Sequence, residues 1–267
     1  LERTGDSIVK RIVIKVGSSV LTETTDIAQE RMLNLVTLIA AARKKYEVIL
    51  VTSGAVAAGY TAVQLNRSVP TSKKVLASLG QPILMSSYKN LFDIYNVTIS
   101  QILLTEEDFD SRVHTKIVQD IIDRTLKNDI LPIVNENDIS TTPEQLFGDN
   151  DQLSAHVTRH VGADMLVILS DIDGYYDSNP KDNPKAKIRK FVTEITNDEL
   201  EQKCTPNSKF ATGGIVTKLM AAKYIMDNKL EMFLSNGHDL ASAKKFLIDG
   251  IHDKGTLFTT NTESKEG

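Results

Sequence analysis

The sequence predicts an α/β fold, a three-layer α/β/α sandwich around a mainly parallel central sheet. Two observations carry that expectation. Short runs such as Ile12-Val13-Ile14, Val48-Ile49-Leu50-Val51 and Met165-Leu166-Val167-Ile168-Leu169 have no polar face, which suits strands covered on both sides. Between them lie segments with apolar residues at helical spacing, and strands alternating with helices of this length build parallel sheets clothed by helices. No internal repeat or low-complexity linker divides the chain. It reads as one domain over 8–259, with 1–7 set aside and 260–267 as a flexible tail.

Taken in order, residues 12–21 (Ile-Val-Ile-Lys-Val-Gly-Ser-Ser-Val-Leu) start as a strand and pass into a turn at Gly17-Ser18-Ser19. Lys15 interrupts the apolar run. An unpaired ammonium in an apolar layer is costly, so Lys15 either snorkels to the strand end or is a cation held beside an anion-binding turn. The stretch alone leaves both readings open. Residues 27–45 carry Met32, Leu35, Val36, Ile39 and Ala40 on one helical face, and Arg43-Lys44-Lys45 complements the negative end of that helix. A strand over 48–52 runs into Ser53-Gly54 and the small-residue segment 55–59. Residues 73–91 read as a helix that Pro82 kinks or restarts. A third strand covers 98–104. The helix over 111–127 places Ile117, Val118, Ile121, Ile122 and Leu126 on one face, and the strand 130–134 follows. A short helix over 152–160 leads to the strand 165–169. Residues 173–189, rich in Asp, Asn, Pro and Lys, form an exposed loop or hairpin. A helix over 217–227, a strand over 231–234, a helix over 240–247 and a strand over 255–259 complete the order.

Composition excludes several classes of function. The 267 residues carry 31 Lys plus Arg against 35 Asp plus Glu, a net charge of −4, which leaves no electrostatic footprint for nucleic acid. No apolar run approaches the ~18 residues of a membrane span. One cysteine, Cys204, admits no internal disulfide and fits a reducing cytoplasm; it reads as a structural or incidental thiol.

In an open parallel sheet, ligands bind at the carboxyl ends of the strands. Here those ends read Gly17-Ser18-Ser19, Ser53-Gly54, Asn135-Glu136-Asn137-Asp138 and Ser170-Asp171. Hydroxyls, amides and carboxylates would therefore gather along one edge. Two further segments join them. Phe147-Gly148-Asp149-Asn150-Asp151 opens a helix, where one such residue is explained as an N-cap and the others are not. Thr212-Gly213-Gly214, one turn before Lys218, sets a glycine turn at a helix N-terminus, a geometry that suits phosphate. A Walker loop and a dinucleotide glycine fingerprint are both absent. The run Asp171-x-Asp173-Gly174 departs from a calcium loop, with its glycine too early and Asp182 at the twelfth position. His156 and His160 lie four apart without a glutamate after the first, and read as a core or surface pair, so no metal ligands are assigned.

With these segments in place, the chain resembles the amino acid kinase family from about residue 10 to residue 258. Within that family it is most similar to the members that phosphorylate the γ-carboxylate of L-glutamate, the first step of proline biosynthesis. The lysine-glycine opening is general to the family. The Asn-Glu-Asn-Asp and Gly-Asp-Asn-Asp segments with the Gly-Gly-x-x-Thr-Lys loop are the specific part. The resemblance implies that Lys15 and Lys218 neutralise the transferring phosphoryl group and that Asp151 orients both. It implies that Ser53, Gly54, Asn135, Asp138 and Asn150 hold glutamate. ATP would lie against Lys15, Gly17, Ser170, Asp171, Thr212, Gly213, Gly214 and Lys218, with the acceptor on the N-terminal part of the domain and the nucleotide on the C-terminal part. It further implies Mg²⁺ as cofactor, proline as feedback inhibitor and a homo-oligomer, a dimer or tetramer. Many bacterial members continue into a small C-terminal RNA-modification-type domain, for which these 267 residues leave no room. Rival readings are a family member acting on acetylglutamate, aspartate or a nucleoside monophosphate, and a non-catalytic nucleotide-binding regulator. The acid-rich 135–151 region favours an acceptor with a free amine, and the two lysines with Asp151 favour catalysis.

Overall fold

The apolar runs of the sequence become the parallel strands of one eight-stranded sheet. In the computed structural model, which describes residues 10–23, 27–141, 150–180, 182–196, 199–200 and 214–261, the strands are β1 (Arg11–Val16), β2 (Glu47–Val51), β3 (Ile99–Leu104), β4 (Leu131–Glu136), β5 (Met165–Ser170), β6 (Phe191–Val192), β7 (Glu231–Asn236) and β8 (Thr256–Phe258). Their order is β3-β4-β2-β1-β5-β7-β8-β6. Every pairing is parallel except β7 with β8. From β1 the chain builds outward through β2 to β3 and β4, then returns to place β5 on the other flank of β1. That reversal is the topological switch point where an open α/β sheet leaves a crevice.

The helices are α1 (Ser18–Leu21), α2 (Gln29–Ala42), α3 (Ala55–Ala62), α4 (Pro70–Asp93), α5 (Glu107–Asp110), α6 (Arg112–Lys127), α7 (Asn150–His160), α8 (Ile215–Asp227) and α9 (Ala241–Lys244), the last continued by a π-turn over Lys245–Asp249. Alternation along β1 decides the layers. Ile12, Ile14 and Val16 face one core with α2 and α4, while Val13 faces the other with α6, α7 and α8. Lys15, two residues from Val13, therefore sits on the α7–α8 side.

Several expectations change. Pro82 does not restart the helix; α4 runs through it as one element. The expected α6 stripe is half right: Val118 and Ile122 are buried, but Ile117 and Ile121 are 50% and 48% exposed. The i, i+4 pair 118/122 already fills the narrow contact with the sheet, and residues one step earlier are rotated about 100° away. β4 extends past Val134 through Asn135 and Glu136, because both pair with Leu103 and Leu104 of β3. The one-turn helices α1 and α5 and the two-residue strand β6 carry too little periodicity to read from sequence. Within 173–189, a bridge pairs Tyr176 with Ile188. Cys204, Thr212, Gly213 and 262–267 of the expected tail lie outside the described residues.

Two glycines set how closely α3 and α4 cross. A Cβ on Gly59 would stand 1.9 Å from the Leu76 carbonyl oxygen, and one on Gly80 would stand 1.8 Å from that of Ala55. Backbone meets backbone here, so no rotamer change makes room. Gly80→Ala is expected to destabilise the fold by at least ~1–3 kcal/mol, the cost of overpacking, read as a lower urea midpoint; an unchanged midpoint would refute this account of the crossing.

Candidate active site

The site opens at the carboxyl ends of β1, β2, β4 and β5, around the switch point. β1 ends in Val16, and Gly17 donates its N–H to the Leu169 carbonyl of β5 at 3.1 Å. β2 ends at Val51 and leads into Ser53-Gly54, where Gly54 adopts φ 101°, the left-handed region that a side chain would resist, and α3 begins at once. The first N–H groups of α3 and of α8, whose cap is Gly214, are thus carried to the sheet edge, a setting that favours anions.

A cleft of about 640 Å³ occupies this edge, lined by Lys15, Gly17, Ser53, Gly54, Asn135, Asp138, Asn150, Ser170, Asp171, Gly214 and Lys218. Each sequence-predicted residue that the structure describes is brought to this cleft, with one exception. Asp151 is fully buried beneath it. Its carboxylate is the hub: Lys15 Nζ lies 2.5 Å from one oxygen, while Lys218 Nζ and Thr217 Oγ1 each donate to the other at 3.1 Å. Lys218 Nζ also donates to the Gly214 carbonyl at 2.9 Å. Lys15 is 2% and Lys218 5% exposed, which decides the question left open by β1 alone in favour of a buried, paired cation. Burial by itself would push Asp151 up, but Lys15 and then Lys218 more than offset it and hold the carboxyl at about 2. Two ammonium groups against one carboxylate leave a net +1 facing the cleft.

The other end of the cleft is built from amides and one acid. Asn150 Nδ2 donates to the Thr52 carbonyl and, at 2.8 Å, to Asn135 Oδ1. Asn135 Oδ1 also accepts the Glu136 N–H at 2.9 Å. The pKa of Asp138 is raised by burial, against the pull of its own backbone hydrogen bond and of Lys74. Lys74 Nζ donates to the carbonyls of Ile139 and Thr141, both at 2.8 Å, and so ties the loop that carries Asp138 to α4. On the β5 side, Ser170 Oγ donates to Asp171 Oδ1 at 2.9 Å.

Sequence reading missed Arg67 and Lys73, which add positive charge to the cleft wall; the Arg67 guanidinium lies 3.7 Å from the Tyr60 ring centroid. A signal for Lys73 and Lys74 existed. Two lysines at the positive end of a helix oppose its dipole, and Lys74 reaches across to loop carbonyls instead. Arg67 lies in a loop with no motif. Away from the cleft, on α7, His160 stacks on Phe109 and His156 on Tyr224, the latter pair 4.5 Å apart between ring centroids. Among the described residues no group of three or more His, Cys, Asp or Glu is arranged to hold a metal. Asp173 instead accepts from Asn236 at 2.6 Å and from Tyr176 at 3.2 Å. No helix among the described residues is long and apolar enough to cross a membrane.

A parallel sheet that carries two buried lysines and two helix N-termini to one edge suits the transfer of a phosphoryl group. The chain belongs to the amino acid kinase family, whose model matches residues 10–236. Its relatives narrow the class. The glutamate 5-kinase of Wolinella succinogenes is 49% identical over 96% of this chain and 100% of that protein. That of Leishmania donovani is 48% identical over 96% of this chain and 97% of its own length. Among solved structures, UMP kinase from Ureaplasma parvum superposes with a TM-score of 0.64 at 18% identity, over 95% of this chain and 100% of that one, a likeness of fold alone.

Two outcomes follow from the charges. Asp151→Asn leaves two buried ammonium groups uncompensated and is expected to cost ~3–5 kcal/mol in urea unfolding. Adding Lys15→Met should recover part of that loss; strict additivity would refute the coupling. His156 is held at about 4 by burial, then by His160 and Arg159, below its ordinary 6.5. The unfolded chain therefore binds the extra proton first, so this contribution is present above pH 6.5 and is lost as pH falls towards 4. The urea midpoint should fall over that window, and less steeply in His156→Gln; parallel profiles for the two proteins would refute it.

Proposed function

We propose that the protein is a cytoplasmic glutamate 5-kinase, which transfers the γ-phosphoryl group of ATP to the γ-carboxylate of L-glutamate and so begins proline biosynthesis. The observation that carries this reading is the buried Lys15–Asp151–Lys218 cluster, opening on a cleft whose acceptor end presents an amide and an acid. Its support is the near-half identity to glutamate 5-kinases over almost the whole chain.

In this reading one kinase domain spans 8–259. Its N-terminal part holds the acceptor through Ser53, Gly54, Asn135, Asp138 and Asn150. Its C-terminal part holds ATP through Ser170, Asp171, Thr212, Gly213, Gly214 and Lys218, with Lys15 and Gly17 between the two parts. A γ-carboxylate oxygen attacks the γ-phosphorus, the new O–P bond forms as the β–γ bridging bond breaks, and the electron pair leaves with ADP. The nucleophile is already ionised near neutral pH, so no general base is required. The obstacle is like-charge approach of carboxylate and triphosphate. Lys15 and Lys218, held by Asp151, neutralise the oxygens of the loose transition state, and the α3 N-terminus with Ser53 steadies the attacking carboxylate. Arg67 and Lys73 supply charge for the α-carboxylate, and Asp138 with the Asn150 amide oxygen supplies acceptors for the ammonium.

Mg²⁺ fits as a partner of the nucleotide. Asp171, in the cleft lining on the nucleotide side, is the protein carboxylate that would face an Mg²⁺ carried by the phosphates. Bound there, it would neutralise the phosphate charge. Proline, which shares the α-carboxylate and amine of glutamate, acts as feedback inhibitor in this reading. The protein is a homo-oligomer, a dimer or tetramer, for which the exposed Val113, Ile117 and Ile121 of α6 speak.

Hydroxylamine trapping of the acyl phosphate, with ADP release dependent on glutamate, tests the assignment. Turnover with acetylglutamate or aspartate and none with glutamate would replace it. Lys15→Ala or Lys218→Ala is expected to cost ~3–4 kcal/mol of transition-state stabilisation, the scale of losing one preorganised donor, and near-normal kcat in either would refute its role. Asp138→Ala should chiefly raise the glutamate KM; a fall in kcat at unchanged KM would assign it elsewhere.

A further inference from the structure

A chain of carboxamides runs from the surface of α4 into the acceptor end of the cleft. Gln81 Nε2 donates to Gln101 Oε1 at 3.0 Å, and Gln81 Oε1 accepts from Asn135 Nδ2 at 2.8 Å. Asn135 Oδ1 then accepts from Asn150 Nδ2. A carboxamide can turn over, exchanging donor for acceptor, so the direction of such a chain needs a cause. Two backbone groups supply it. The Glu136 N–H can only donate, and it points at Asn135 Oδ1. The Thr52 carbonyl can only accept, and it receives Asn150 Nδ2. Turning Asn135 over would set its NH₂ against the Glu136 N–H and against Asn150 Nδ2. Turning Asn150 over would set its oxygen against the Thr52 carbonyl.

With the direction set, the chemistry of the cleft end follows. Both Asn150 donors are committed, and among the described residues its Oδ1 accepts no hydrogen bond while the residue lines the cleft. Its free polar atom is an acceptor. Asp138 on the adjoining loop is an acceptor too. An acceptor pair suits a group that carries only donors, an ammonium, and leaves an N-acyl carbonyl facing oxygen.

We propose that Gln81 is a positioning residue that seats Asn135 in the orientation the backbone groups set, and through Asn135 and Asn150 selects an acceptor with a free ammonium over its N-acylated form. Gln81 does this through Asn135. Its Oε1 engages Asn135 Nδ2 and leaves Asn135 Oδ1 to organise Asn150. Gly80, pressed against the Ala55 carbonyl, places Gln81 at that distance. The inference rests on the reading of Asn150 and Asp138 as acceptor ligands.

The test compares Gln81→Met, Gln81→Glu and Asn150→Ala by hydroxylamine-trapped turnover with glutamate and with N-acetylglutamate, alongside urea unfolding. Gln81→Met, close to isosteric, should raise the glutamate KM about tenfold, the loss of about one hydrogen bond. It should lower discrimination against N-acetylglutamate by a similar factor, with the ATP KM and the urea midpoint near wild type. Gln81→Glu keeps an oxygen toward Asn135 and should restore the glutamate KM, an outcome a merely structural role would not produce. An unchanged glutamate KM in Gln81→Met, or equal defects in Met and Glu, overturns the inference. If Asn150→Ala also leaves the glutamate KM unchanged, the acceptor reading itself has failed; if Asn150→Ala raises it and Gln81→Met does not, only the role of Gln81 has.

Discussion

Two buried ammonium groups share one buried carboxylate, and the rest of the molecule is arranged so that they can. Lys15 arrives on the central strand, Asp151 in the first turn of α7 and Lys218 in the first turn of α8. Each would be expensive alone in an apolar layer. Together they form a cluster whose surplus positive charge has one direction in which to act, toward the cleft. The Thr217 hydroxyl and the Gly214 carbonyl take up further valences of Asp151 and Lys218, so the ammonium groups are held by fixed partners instead of by water. Preorganisation of that kind is what an enzyme with no base to provide has to offer a phosphoryl transfer.

The same economy appears at the other end of the cleft. No single strong charge defines it. Its character comes from backbone groups whose polarity cannot change, passed on by amides that could otherwise turn either way. Asn135 lies within β4, where pairing with β3 fixes the backbone, and Asn150 is tied to Thr52 at the end of β2. The sheet therefore sets the hydrogen-bonding sense of the pocket as well as its shape. Helix α4 joins the same frame from outside, through Lys74 on the Asp138 loop and Gln81 on Asn135.

Much of this was legible beforehand, for identifiable reasons. Strands buried on both faces announce themselves as unbroken β-branched runs, and the rule that ligands meet their carboxyl ends picked out Gly17, Ser53, Asn135 and Ser170 without coordinates. Lys15 was visible as an anomaly within its strand. What stayed hidden were contacts between segments far apart in sequence. Arg67 and Gln81 belong to segments whose local pattern is that of an ordinary loop and helix. The α6 face was misjudged because helical spacing names a stripe of residues and not which part of it the sheet covers.

The sequence by itself determined the alternation of strands and helices, the edge of the sheet at which polar residues would gather, and the kinship that resemblance implied. Periodicity and residue chemistry are local properties, and they survive without a fold. Only the tertiary structure decided that Lys15 is buried and not snorkelling, that Asp151 lies beneath the cleft and not on its wall, and that Asn150 commits its Nδ2 to Thr52 and Asn135. Each of those depends on a partner brought from elsewhere in the chain: the Asp151 carboxylate for Lys15, the two lysines for Asp151, and the Thr52 carbonyl for Asn150.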